Sequence, residues 1–340
     1  MARKAGGQSA LKENVSIFDS HHLSPVSRLL SVTHEEATRI WHKILWQRFR
    51  RKHPVGPNDW ALVCPFSTGD VYLYARLASG LLTHLGGERI IFFTKSQHRF
   101  IPAMFPSISM TVEVRPPYAI DRIGAQPLTP EGGHMGVYYR PSWYSLTMMG
   151  CRGVTFIDCL RGNLRLPWNS RLEQPRKPTL EEIAEARLLL QQNGVEQGCL
   201  ALICPDSTTT FGLQSIPDRF WAMLVTNLQE RGIQVVTNMG PSTKLLEGTV
   251  GLKIPLRLFR AVALLSRCLL ARRSGLCDLI SDLPIKLAVF YPSANWYGGK
   301  CIDVSGLGVM GLKHDAVELE VGPEEHVKAI SEFDALTQGW

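Results

Sequence analysis

Two stretches of this chain repeat one alternation: a short apolar run, a turn rich in Ser, Thr, Gly or Asp, then a segment of helical periodicity. The first holds WALVCPF (60–66), VYLYARLASGLLTHL (71–85), RIIFFT (89–94) and MTVEV (110–114). The second holds CLALICP (199–205), PDRFWAMLVTNLQERG (217–232), IQVVTN (233–238), LKIP (252–255), LRLFRAVALLSR (256–267), CLLAR (268–272), GLCDLIS (275–281) and KLAVFYP (286–292). Apolar runs of this length predict strands buried on both faces, and their alternation with helices predicts parallel sheets. Between the two series, residues 161–178 are rich in Pro and Arg and lack periodicity, which marks a linker. The expected fold class is α/β: two Rossmann-like domains with parallel sheets facing a central cleft. The organisation that follows is a flexible arm over 1–32, an N-terminal domain over 33–178 and a C-terminal domain over 179–340.

Other segments read less evenly. GVTFIDCL (153–160) reads as a further strand, and the Pro/Gly/Tyr-rich stretch 115–150 has no assignable pattern. TLEEIAEARLLLQQNG (179–194) opens with a Thr179/Glu182 capping-box pattern and closes on Gly194, a strong helix signal. PEEHVKAISEFDAL (323–336) reads as a last helix.

The net charge of +7 comes from 37 Lys+Arg against 30 Asp+Glu, and it is localised. Residues 1–52 carry ten basic and four acidic residues, so the rest of the chain is nearly neutral. Helical spacing over 33–52 puts Ile40, Trp41, Ile44, Leu45 and Phe49 on one stripe and Arg39, Lys43 and Arg50 opposite. Such a helix either meets an anionic membrane face or anionic glycan, or packs its stripe on the first domain. Confinement of the charge to one segment argues against nucleic acid as a partner. No apolar run reaches about 18 residues, and no secretory h-region is present, so a cytoplasmic protein, at most peripheral to a membrane, is expected. Eight Cys form no CxxC pair and ten His show no ligand spacing, so no metal is expected. The histidines read as surface or loop residues.

Ligands of paired α/β sheets bind beyond the carboxyl ends of the strands, and three turns fall there. Ser67-Thr68-Gly69-Asp70 follows the first strand. It contains no GxGxxG, so no dinucleotide cofactor is expected. Asp70 reads either as a helix cap or as a group at the mouth of the cleft. The turn 204–217, with Ser207, Thr208, Thr209 and Gln214, offers hydroxyls and backbone N–H groups to a phosphate, or is an ordinary polar turn. The third turn, Arg272-Arg273-Ser274-Gly275-Leu276-Cys277-Asp278, runs a strand into a helix start suited to an anion. Aromatic residues Tyr138, Tyr139, Trp143 and Tyr144 around Arg140, and Trp296-Tyr297 before Gly298-Gly299, suit either a sugar-stacking loop or plain packing.

In order and spacing these turns resemble bacterial heptosyltransferase-type glycosyltransferases of family 9, which have the two-domain GT-B architecture. Gly69-Asp70 matches the family's Gly-Asp after strand one. ALICPDSTTTFGLQSIPDRFWAMLVTNLQERGIQVV (201–236) is similar to the opening of its second domain. Ser274-Gly275-Leu276 and LAVFYP are similar to its donor loop and following strand. The resemblance covers about 60–100 and 199–292. It implies a nucleoside-diphosphate sugar as donor, bound at Ser207, Thr208, Thr209, Gln214 and 272–278. It also implies a glycan or lipid-linked glycan acceptor and Asp70 as general base, with no metal. The chain departs from the pattern in the donor pocket. Gln214 stands near the family's Lys, Arg273 at an acidic position and Asp278 at a His, which speaks against ADP-heptose as donor. A nucleotide-sugar epimerase on the same scaffold and a nucleic-acid-binding protein using the basic helix are the alternatives.

Overall fold

The computed structural model describes residues 51–52, 55–56, 58–114, 148–207, 216–241, 243–296 and 298–338, with the backbone of 135–138. From Val55 onward these residues belong to one compact unit. The basic helix expected over 33–52 lies outside the described residues but for Arg51 and Lys52, as do Thr208, Thr209, Gln214, Tyr139, Trp143, Tyr144 and Tyr297.

Two wholly parallel sheets form the frame. The first contains β1 (Asp59–Val63), β2 (Arg89–Thr94), β3 (Ile108–Glu113) and β4 (Met135–Tyr138) in the order β3-β2-β1-β4. The second contains β5 (Leu200–Cys204), β6 (Gln234–Asn238), β7 (Val250–Leu252), β8 (Cys268–Arg272), β9 (Lys286–Pro292) and β12 (Val317–Val321) in the order β12-β9-β8-β5-β6-β7. β10 (Asn295–Trp296) and β11 (Gly299–Lys300) form a small antiparallel hairpin. Each sheet starts in the middle and winds outward both ways, so its order reverses beside its first strand, between β1 and β4 and between β5 and β8. That reversal opens a crevice at the carboxyl ends of the strands.

β1, β5 and β8 are buried along their whole length, which is why they read as unbroken apolar runs rather than alternating ones. One core cluster joins both sheets, with Leu62 and Phe92 from the first and Leu202 and Leu269 from the second. A second cluster covers the outer face of the larger sheet. There Phe220, Trp221 and Leu224 of α4 (Asp218–Glu230) and Phe333 of the C-terminal helix (His326–Leu336) pack on Ile203 and Phe290.

Two expectations change. GVTFIDCL is not a strand: residues Phe156–Asn163 form α2, begun by a capping box in which the Thr155 N–H and hydroxyl donate to Asp158 at 3.0 and 2.7 Å. The Thr-x-x-Asp start outweighs the β-propensity of Val154, Phe156 and Ile157. Past the end of α2 the rest of the 161–178 stretch is irregular, yet it is fastened along its length. The Glu173 N–H donates to the Arg76 carbonyl, the Arg176 N–H to the Met104 carbonyl, and the Glu173 carboxylate accepts from Ser107. It then enters α3 (Leu180–Gln192) through the Thr179/Glu182 capping box.

Candidate active site

Two helix starts meet at the crevice. After β1 the chain turns through Cys64–Phe66 into α1 (Thr68–Gly80), capped by Ser67. After β8 it turns at Arg273 into the short α6 (Gly275–Leu279), capped by Ser274, whose hydroxyl accepts from the Leu276 N–H at 3.3 Å. The two starts touch through Gly69 and Gly275. A Cβ on either would lie 2.9 Å from the Cα of the other, closer than real Cβ atoms approach. The close crossing of the two helix starts therefore requires glycine at both positions.

Around this crossing sits a cavity of about 190 Å³. Ser67 and Thr68 line it from the first sheet's side. Cys204 ends β5 and Asp206 and Ser207 come after it, Asn238 ends β6 and Gly240 and Thr243 come after it, and Ser274 caps the start of α6 at Gly275 and Leu276. Sequence reasoning named Ser67, Thr68, Ser207 and the Ser274 turn, and the structure brings these together. It missed Asp206, Asn238 and Thr243. Asn238 ends the IQVVTN run at a strand's carboxyl end, and that position was the available signal.

Asp70 does not line the cavity; its capping partner does. The Ser67 N–H donates to Asp70 Oδ2 at 3.2 Å and the Ser67 hydroxyl donates to the same oxygen, a capping box with Asp70 as third residue of the helix. Capping is thus part of what Asp70 does.

The Arg-rich turn divides in two. Arg273 points inward: its guanidinium meets both oxygens of Asp278 at 2.7 and 3.1 Å and donates to the carbonyls of Ser274 and Ser305. Burial works against its charge, yet Asp278 holds its pKa above the ordinary arginine value. The two positions that depart from the glycosyltransferase pattern, Arg273 and Asp278, are therefore partners of each other in a buried pair. Arg272, also buried, has its pKa lowered by that burial, against the pull of Asp206. Burial likewise raises the thiols of Cys204 and Cys277, so neither is a ready nucleophile.

A second polar bridge joins the two sheets' helices. The Tyr72 hydroxyl of α1 donates to Asp282 at 2.8 Å, and the buried Arg260 of α5 (Phe259–Leu265) grips both oxygens of Asp282 while donating to the Leu279 and Arg176 carbonyls. Not all histidines lie on the surface: His98, just beyond β2, is 3% exposed and its Nε2 is 3.3 Å from the Thr68 hydroxyl. Among the described residues no group of three or more metal-ligating side chains forms, and no helix is long and apolar enough to cross a membrane.

No protein-family model matches the sequence, and no curated protein matches it as a relative. The fold is similar to that of solved glycosyltransferases. The ADP-heptose lipopolysaccharide heptosyltransferase II of E. coli superposes with a TM-score of 0.57 at 13% identity, over 82% of this chain and 98% of that one. A family 9 glycosyl transferase from Veillonella parvula superposes with a TM-score of 0.52 at 13% identity, over 83% and 89%. The architecture is accordingly GT-B: two Rossmann-like parallel sheets with their crevices turned to a common cleft.

Proposed function

We propose that this protein is a glycosyltransferase that moves a sugar from a nucleoside diphosphate to a hydroxyl of a glycan or lipid-linked glycan of a bacterial surface. The observation that carries this reading is the position of the cavity. It lies at the order reversal of the second sheet, and Ser67 and Thr68, which follow the first strand of the first sheet, close it from the other side. In this reading residues 179–340 hold the donor, and 33–178 present the acceptor.

Ser207 and the Ser274–Leu276 helix start face the diphosphate, with Thr208, Thr209 and Gln214 of the same turn contributing further contacts. Arg272 supplies positive charge from behind, which stabilises the leaving group as the glycosidic bond breaks. Arg273 and Asp278 act one layer deeper by fixing the α6 start. Asp70, oriented by Ser67 before the acceptor arrives, removes the hydroxyl proton as the acceptor oxygen attacks the anomeric carbon. No metal is needed in this scheme. The basic segment 1–52 would hold the enzyme at an anionic membrane face on the cytoplasmic side.

The test is thermal unfolding in the presence of ADP, UDP, GDP and their hexose conjugates. A ligand that binds only the folded state stabilises it, by about 2.7 kcal/mol at a hundred times its Kd, and so raises the melting temperature. A shift with at least one nucleotide sugar is expected; no shift with any of them overturns the reading.

A further inference from the structure

The halves built on the two sheets are joined at four places. The first is the crossing of the helix starts, where the Gly69 and Gly275 backbones touch. The second is a strap: the β10–β11 hairpin, which follows β9 of the larger sheet, lays Gly299 against Gly150 of the first half. A Cβ on Gly150 would lie 2.7 Å from the Gly299 Cα, and one on Gly299 would lie 3.0 Å from the Gly150 Cα. From the same hairpin Trp296 packs on Phe156 of α2, with ring centroids 5.2 Å apart. The third is the polar bridge, in which the Tyr72 hydroxyl of α1 donates to Asp282 at 2.8 Å and Arg260 holds the same carboxylate. The fourth is the connecting chain itself. Its Glu173 and Arg176 N–H groups donate to the Arg76 and Met104 carbonyls of the first half, and its Arg176 carbonyl accepts from Arg260 of the second at 3.3 Å. The Arg76 guanidinium adds a bond from Nε to the Glu173 carbonyl at 3.1 Å.

A hinge needs a few connecting residues free to change their backbone angles, and domains that do not share a large apolar interface. Among the described residues neither condition is met. The backbone of 173 and 176 is engaged with both halves, and one apolar core runs from Leu62 and Phe92 through to Leu202 and Leu269. Sliding of one helix past the other is blocked as well. A slip of one residue at the crossing would bring the Cβ of Thr68 or Asp70 to a place that only glycine fits. Opening would also strip the Tyr72 hydroxyl from a buried carboxylate, and burial makes such a loss costly.

We propose that the two halves form one locked body: the cleft is built in its working shape, and ligands enter and leave it without closure of one half on the other. The inference goes beyond the proposed transfer reaction and does not depend on which ligand the cleft takes.

The experiment is a pulsed electron-resonance distance measurement between nitroxide labels, one on each half of the full chain. Among the cysteines only Cys151 and Cys199 are exposed. Cys151→Ser/His84→Cys therefore puts one label on the exposed position 84 just beyond α1 and the other on the native Cys199. A closure of about 15°, the size of known rigid-body transitions, moves a point about 25 Å from its axis by about 6 Å. The expected result is a single narrow distance without ligand, unmoved by ADP-glucose, UDP-glucose or GDP-mannose. Two distances or a broad spread in the ligand-free protein would overturn the proposal, as would a shift of about 6 Å with any of the three. In the same labelled chain, Tyr72→Phe/Gly299→Ala removes the bond to Asp282 and presses a methyl on Gly150, and it is expected to widen the distribution. An unchanged distribution there would show that these joins do not hold the halves and would overturn their assignment as the lock. If none of the three sugar nucleotides binds, the donor reading fails, while the ligand-free distances still decide this one.

Discussion

The helix starts at Ser67 and Ser274 are built from nearly the same residues and end up doing different things. Both follow the carboxyl end of a central strand, both are capped by Ser, both carry a Gly that lets the other approach, and both have an Asp in the first turn. The difference is one residue of spacing. Asp70 is the third residue of its helix and folds back onto the cap, the geometry of a capping box. Asp278 is the fourth residue, too far round the turn to reach Ser274, and it sinks onto Arg273 instead. One carboxylate therefore stays half-buried near the cleft, and the other becomes part of the core. A shift of one position separates a half-buried capping carboxylate from one that holds the frame.

The largest effect should come from breaking the buried pair. Arg273→Met leaves the Asp278 carboxylate buried alone and should cost about 3–5 kcal/mol in urea unfolding, whereas the double change Arg273→Met/Asp278→Leu should recover most of that loss. At the other helix start the Ser67 N–H and hydroxyl both donate to Asp70.

His98 sharpens the comparison through pH. Its folded pKa of about 4 lies below the ordinary 6.5, so between these values the unfolded chain binds a proton that the folded chain refuses. The stability contribution is therefore intact above pH 6.5 and lost as pH falls toward 4, by about 3 kcal/mol at 1.36 kcal/mol per unit. Unfolding measured from pH 7.5 to 4 should show this slope, and His98→Phe should flatten it.

The crossing of the two starts is the next point to break. Gly275→Ala puts a methyl against the Gly69 backbone and should destabilise by about 1–3 kcal/mol, since backbone has no rotamer with which to give way. The smallest effects come from the caps. Ser67→Ala and Thr179→Ala each remove a capping-box hydroxyl and should each cost about 1 kcal/mol. Thr179 sits on an exposed helix start, so only Ser67→Ala should alter nucleotide-sugar affinity.

How much of this was legible beforehand follows from burial. RIIFFT, CLLAR and KLAVFYP were read with their observed bounds, because strands buried on both faces leave an unbroken apolar signature. VELEV, now β12 at the sheet's edge, was not recognised: two of its five residues are Glu, and an edge strand half open to solvent carries a weaker signal. The helix at 156 was misread because Val154, Phe156 and Ile157 favour strands, and only its cap revealed it. At the site, the turns were legible because strand ends are legible. The Arg273–Asp278 partnership was not, since nothing in a run of six residues says which side chain faces inward. The burial of His98 was hidden for the same reason: Thr68, which it meets, lies thirty residues back along the chain.

Asp70 is the carboxylate on which the proposed transfer depends. The direct measurement is turnover of a binding nucleotide sugar, transfer or hydrolysis, by the wild-type chain and by Asp70→Asn, which keeps an acceptor for the Ser67 cap. Turnover is expected to fall by about a hundredfold or more, the usual effect of losing a general base, with donor affinity and melting temperature nearly unchanged. Equal turnover by the two proteins would remove Asp70 from the chemistry and reduce it to the helix cap it visibly is.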